Sequence, residues 1–249
     1  MKRLILSFLS LIFVLGQSMA QVQLQFSDYF EKSTAEPLST QQDGFIRRWL
    51  VLEPISKPNR GNTVFTDSYI RTEFAKEYFK DQMTVLPSDG KKEKCNIVVE
   101  VKDKNAEPQR GWNVKPPVLK DAKATLAWHK LDSKLYNFKL YRFATTLQKQ
   151  NYGVLFFVVT TIICDEDLKD VRLSVGSNSA SMWWVNGDEA LILSGDRRMV
   201  ADDGTSKRLT LHKGENIIRG MIINGPGMSD FCVRIKDENG NNVTNFKTK

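Results

Sequence analysis

Hydrophobic and polar positions in this chain alternate over short runs rather than over long helical stretches. Residues 171–175, Val-Arg-Leu-Ser-Val, alternate strictly and break at Gly176-Ser177-Asn178. Met182-Trp183-Trp184-Val185 follows, then Asn186-Gly187, then an apolar run over 190–193. Asn-Gly between two apolar runs predicts a tight type I′ hairpin, because both central residues of that turn need positive φ. Residues 152–163 differ from the rest. Gly-Val-Leu-Phe-Phe-Val-Val-Thr-Thr-Ile-Ile has no polar face, the pattern of a strand buried on both sides, and it predicts the central strand.

The same reading assigns the other elements. A first strand is expected over 44–52, ended by Pro54. Ile70, Phe74 and Tyr78 recur at helical spacing, so a helix is expected over 67–82 with Asp67 as its cap. Strands follow at 97–101, 125–128, 136–144, 208–211, 217–223 and 231–235. Residues 102–123, with four prolines or glycines and Trp112, are expected as a long irregular loop. Short strands with turn signals roughly every ten residues point to an all-β jelly-roll sandwich with one short N-terminal helix, not to βαβ units.

The N-terminus falls outside that pattern. Lys2-Arg3 precedes an apolar run from Leu4 to Gly16, and Ser18-Met19-Ala20 forms a small-x-small cleavage signal. Residues 1–20 are therefore expected to be a signal peptide, which makes the protein exported to the periplasm, cell surface or outside. The run is shorter than the roughly 20 apolar residues of a membrane span, no later stretch is long enough, and membrane insertion is not expected. Residues 21–43 are polar and aperiodic and are expected as a flexible lead-in. Residues 44–249 are expected as one domain.

Charge and cysteine usage narrow the partners. Losing Lys2 and Arg3 takes 36 basic residues to 34 against 29 acidic ones, a mild excess. Those bases are scattered, whereas a nucleic-acid reader concentrates them with aromatics, so nucleic acid is not an expected partner. Cys95, Cys164 and Cys232 are odd in number, and none stands at metal-ligand spacing from another cysteine or from His129 or His212.

From Gly153 to Asp237 the order of motifs carries a family resemblance. The long apolar strand, the charged turn 165–167 and Val171-Arg172-Leu173 come first. Trp184-Val185-Asn186-Gly187 follows, then Leu211-His212-Lys213-Gly214-Glu215-Asn216, then an apolar strand ending in Asn224, then 231–237. This order resembles the galactose-binding-like jelly roll found beside bacterial glycan-degrading enzymes, and the chain is similar to exported accessory domains of acetylxylan-esterase-like proteins. The resemblance implies an exported, non-catalytic carbohydrate-binding or accessory module, with a polysaccharide or oligosaccharide such as xylan as partner. It also leaves open a carbohydrate esterase or a structural, protein-docking domain, since a fold does not set its function.

Among Ser177, Ser179, Ser181, Ser194 and Ser229 there is no G-x-S-x-G elbow, and neither histidine stands in a pattern that pairs with one of them. Adjacent acids at 165–167 and 202–203 suit solvated turns better than glycoside cleavage. No cofactor is expected beyond a structural Ca2+ held by loop oxygens. Sugar binding needs an aromatic face together with Arg, Asp or Asn for the hydroxyls. The expected binding residues are Trp112, Trp183, Trp184, Arg197, Arg198, Asp202, Asn224 and Asp230. Neighbouring residues of a strand point to opposite faces, so only one of Trp183 and Trp184 is expected in the core.

Overall fold

The run without a polar face becomes the middle of the molecule. The structure, a computed structural model, describes residues 25–59, 61, 64–101 and 117–249. In chain order the elements before the central strand are β1 (Phe30–Lys32), β2 (Leu38–Ser39), β3 (Arg48–Leu52), β4 (Ile55–Ser56), α1 (Asp67–Phe74), β5 (Lys92–Val101), β6 (Val118–Ser133) and α2 (Leu140–Thr146). The central strand is β7 (Val154–Cys164). After it come β8 (Leu168–Ser177), β9 (Ala180–Val185), β10 (Asp188–Leu193), β11 (Gly204–Thr205), β12 (Leu209–Leu211), β13 (Gly214–Asn224), β14 (Phe231–Lys236) and β15 (Phe246–Thr248). Strand makes up 48% and helix 9%, and the strands form two antiparallel sheets, so the class is an all-β sandwich.

The large sheet runs β1-β6-β3-β7-β13-β9-β10, with β5 added beside β6, β4 and β15 beside β7, and β2 beside β15. The small sheet is β8 flanked by β11, β12 and β14. Val154, Phe156, Val158 and Ile162 of β7 face the small sheet, where Leu173, Val175, Val233 and Ile235 close the inter-sheet core. Leu155, Phe157 and Val159 face the other way, into a second apolar layer. Both faces of β7 are thus covered, as its composition requires.

That second layer explains α1. Ile70 and Phe74 turn onto the large sheet beside Phe65, Tyr78 and Phe79. The helix is shorter than its apolar spacing predicts, ending at Phe74 rather than at 82. Beyond it Gln82 accepts a bond from the Tyr78 amide and donates to the Lys76 carbonyl, so the chain turns back while Tyr78 and Phe79 stay in the apolar layer. Its cap is Thr66, whose hydroxyl accepts from the Tyr69 amide. Asp67 sits instead in the first turn, where its charge favours the helix dipole.

Three further expectations are corrected. Residues 136–144 are not a strand: Phe138 makes an isolated bridge to Phe231, and Leu140, Phe143 and Ala144 form the buried face of α2. The expected loop 102–123 gives its last residues to β6, which pairs with β5 from Lys92↔Ala127 out to Val101↔Val118 as a long ribbon. Residues 25–43, expected as a flexible lead-in, contribute β1 and β2, and Phe30 is buried against Phe138 with ring centroids 4.7 Å apart. The Asn186-Gly187 turn is as expected, with φ of 53° and 93°. All three cysteines are buried and unpaired, and burial pushes the Cys95 and Cys232 thiols up to about 12. Among the described residues, no helix is long and apolar enough to cross a membrane.

Candidate functional site

The residues singled out from the sequence are dispersed. Trp112 lies outside the described residues. Trp183 is fully buried between the sheets, edge-on to Trp49 at 5.9 Å and tilted against Phe231, and its indole N–H donates to Ser181. Trp184 points to the opposite face, as alternation demands, yet it is only 8% exposed because the layer around α1 covers it. Both tryptophans are therefore core residues of two different layers, which corrects the expectation that only one would be. Trp184 still borders an apolar groove of about 310 Å3 with Phe74, Met83 and Met182.

The polar members hold loops in place. Asp202, at φ 60°, accepts from Ser174 at 2.7 Å and is paired with Arg234 and, at 3.4 Å, Lys236. Hydrogen bonding from Arg234, against the effect of burial, holds its carboxyl at about 2. Arg234 also lies 4.4 Å over the Phe45 ring. Arg197 pairs with Asp203, and Arg198 is exposed. Asn224 and Asp230 do come together at one end of the sandwich, but both are buried. The Asn224 amide donates to the Asn151 and Gly227 carbonyls. Asp230 accepts from Lys139 at 2.7 Å, and burial pushes its carboxyl up against that ion pair.

At that same end, oxygens of Asn178, Ser179, Asn224 and Ser229 are buried without a hydrogen-bond partner. The neighbouring Asp230 is already paired with Lys139. Such uncharged oxygens fit internal water. They are poor in charge for calcium, whose sites draw on carboxylates, and among the described residues no three His, Cys, Asp or Glu side chains gather.

The imidazoles contact acids rather than the candidate serines: His129 Nε2 lies 3.4 Å from Glu53, and His212 Nδ1 lies 4.0 Å from Asp167. Ser177 and Ser181 bond each other at 2.8 Å deep in the fold.

A cleft of about 440 Å3 sits where the β5–β6 ribbon leaves the sandwich. It has the size of a small-ligand site. Val98 gives it aliphatic surface, Glu77, Asn96, Asp121 and Lys123 ring it with hydroxyl-bonding groups, and Ile97 and Ala122 border it from the inward face of the ribbon. Pairing of Asn96 with Lys123 and of Val98 with Asp121 places these side chains from two strands side by side. The wall opposite is fixed from inside. Buried Glu73 holds Lys57 at 2.5 Å, Lys76 at 2.7 Å and the Tyr78 hydroxyl at 3.3 Å. Burial pushes the Glu73 carboxyl up, but the two lysines outweigh it and keep it ionised below its usual range. Asn96 ties ribbon to wall: its backbone amide donates to the Tyr78 carbonyl at 2.7 Å and its side-chain amide to the Glu77 carbonyl at 2.9 Å. Among the described residues, the Asp121 and Lys123 side chains have no ion-pair partner, and both are exposed. None of these cleft residues had been singled out from the sequence. They come from separate segments, and the only signal that could have joined them is the hairpin register across residues 102–116.

No family model matches the chain, and no curated protein matches it. Among solved structures, the PA14 domain of MpAFP antifreeze protein is similar over 88% of this chain and 95% of that one, at 10% identity and a TM-score of 0.40.

Proposed function

We propose that this chain is a non-catalytic carbohydrate-binding module, exported and serving a glycan-degradation system, and that the cleft at the foot of the β5–β6 ribbon receives the sugar. The observation that carries this reading is the cleft's chemistry. A sugar ring offers aliphatic C–H faces and a rim of hydroxyls that donate and accept. Val98, on the same face of the ribbon as Asn96, Asp121 and Lys123, matches the first, and those three with Glu77 match the second. Ion pairs from Lys57 and the exposed Lys76 to buried Glu73 hold one wall rigid, which lowers the ordering cost of binding.

The test is titration of the mature protein with xylo-, cello-, manno- and galacto-oligosaccharides, followed by calorimetry and amide NMR shifts. Binding of at least one series is expected, with shifts at residues 96–98 and 121–123. Asp121→Ala and Lys123→Ala remove exposed side chains and should leave the fold intact while each weakens binding about fivefold to tenfold, the worth of one ordinary hydrogen bond of about 1 kcal/mol. Absence of binding by every series at millimolar sugar would overturn the reading, as would binding indifferent to both substitutions.

A further inference from the structure

The two sheets end facing one another across a second groove. Strand β10 closes the path of the large sheet, and β12 lies at an end of the small one. Among the described residues, β10 pairs with β9 alone and β12 with β8 alone, so each presents an edge of backbone N–H and C=O groups that no described strand pairs. Between those edges runs a groove of about 710 Å3, bordered by Asp188, Ala190, Lys207, Arg208, Thr210 and His212 among others. It is shut at one end by close packing, since a Cβ on Gly204 would fall 2.3 Å from a Leu193 methyl.

The charges along the groove are unbalanced. Lys207 and Arg208 are exposed. Lys207 has no ion-pair partner among the described residues, and Arg208 has only Glu238 at 3.9 Å. His212 lines the same wall, with its Nδ1 4.0 Å from Asp167. On the β10 wall, Glu189 is already taken by both arms of Arg71, at 2.5 and 2.7 Å, which leaves Asp188 as the acid facing the groove. Ala190 and Leu209 supply half-buried apolar surface between the edges.

We propose that this groove docks an extended acidic segment of another polypeptide, which adds as a strand between the two edges. In an extended guest, alternate side chains point to opposite sides, so one set would rest on Ala190 and Leu209 while the other reaches Lys207 and Arg208. Free strand edges select a polypeptide over a glycan, because they call for donors and acceptors at regular strand spacing. Both host strands carry a register shift, between Glu189 and Leu191 and between Leu209 and Leu211. Such bulges shorten an edge, so the guest pairs over only a few residues and binding is transient. This surface is separate from the sugar cleft and does not depend on it.

The experiment uses the full mature chain and a capped, fluorescently labelled peptide of alternating Glu and Thr, followed by anisotropy and by amide hydrogen exchange. Saturable binding is expected, with protection of amides at 188–190 and 208–211. Lys207→Glu with Arg208→Glu changes two exposed side chains and should weaken binding about tenfold. N-methylation of alternate peptide amides, which spares charge but removes strand pairing, should abolish it. The proposal fails if a Lys-Thr peptide binds as well or if the N-methylated peptide binds unchanged. It also fails if those amides respond to oligosaccharide or to the protein's own self-association rather than to the acidic peptide.

Discussion

Gly220 stands opposite Trp183 in the β13–β9 register, and a Cβ there would lie 2.5 Å from the indole. The ring cannot retreat easily, because Trp49 of the large sheet and Phe231 of the small sheet pack against it between the sheets. Gly220→Ala is therefore expected to destabilise the protein by about 2–3 kcal/mol, the cost of overpacking a filled core. Urea unfolding measures it, and a change within about 0.5 kcal/mol would show that the indole has room to shift. The side-chain direction of this pair was legible in the sequence: alternation alone sends Trp183 and Trp184 to opposite faces. What covers Trp184 was not legible. Its lid is built from residues distant in sequence, Ile70, Phe74 and Met83, and nothing local to Trp184 announces them. The polar loop residues misled for a related reason. Asp202, Asn224 and Asp230 carry groups suited to a sugar, but loops spend such groups on their own backbone and on neighbouring cations. A sequence shows the groups and not whether they are already engaged.

Two turn signatures from different parts of the chain are joined at the element scale. Asn186, in the β9–β10 turn, accepts from the Ile217 amide and donates to Oδ1 of Asn216. Asn216 closes the β12–β13 turn by accepting from the His212 amide and donating to the His212 carbonyl, and its side chain is fully buried. The two amides thus fix one another's orientation and lock the hairpin to the neighbouring strand. Asn216→Ala strands several of these partners at once and is expected to cost about 2 kcal/mol. Asn186→Gly keeps the positive φ of the turn while removing the side chain, so it suits a double-mutant cycle. A coupling of about 1 kcal/mol is expected, and strict additivity would mean that the turns act separately. These turns were readable because each requires particular residues at fixed positions. The β5–β6 ribbon was not, because prolines and glycines in 102–117 masked the pairing of 118–123 with the strand before it. The sugar cleft was lost with it, since Asn96 and Lys123 become neighbours only through that register.

At the scale of the whole molecule, the long connection between β10 and β12 folds back over the outer face of the small sheet, and Asp202 is its main anchor. Gly195 ties its beginning to Phe65 through a backbone bond of 2.6 Å, and a Cβ on Gly176 of β8 would fall 1.9 Å from the Val200 carbonyl, so the connection lies directly on the sheet. Asp202 then reaches Ser174 of β8 and Arg234 of β14, which joins the connection to two strands. Its carboxyl, held at about 2 by Arg234, lies below its value of roughly 3.9 in an unfolded chain. A depressed carboxylate contributes stability that is present above the unfolded value and lost as pH falls through the folded one. Asp202 therefore stabilises the fold above about pH 4 and ceases to do so near pH 2. Asp230 runs the other way: burial raises its carboxyl, so its contribution is greatest in acid and declines as pH rises through its folded value. Loss of Asp202 is thus the term that weakens the outer face in acid. Asp202→Asn keeps the shape and part of the hydrogen bonding. It should lower stability at pH 7 by about 1 kcal/mol, a value reduced for solvent screening of a pair that is partly exposed. The gap from the native protein should narrow from pH 4 downward and close near pH 2. Urea unfolding at pH 7, 4, 3 and 2 gives the comparison, and hydrogen exchange at residues 174–176 and 232–234 shows whether the loss begins where the connection rests. A gap that persists undiminished at pH 2 would mean that shape rather than charge at Asp202 holds the connection down.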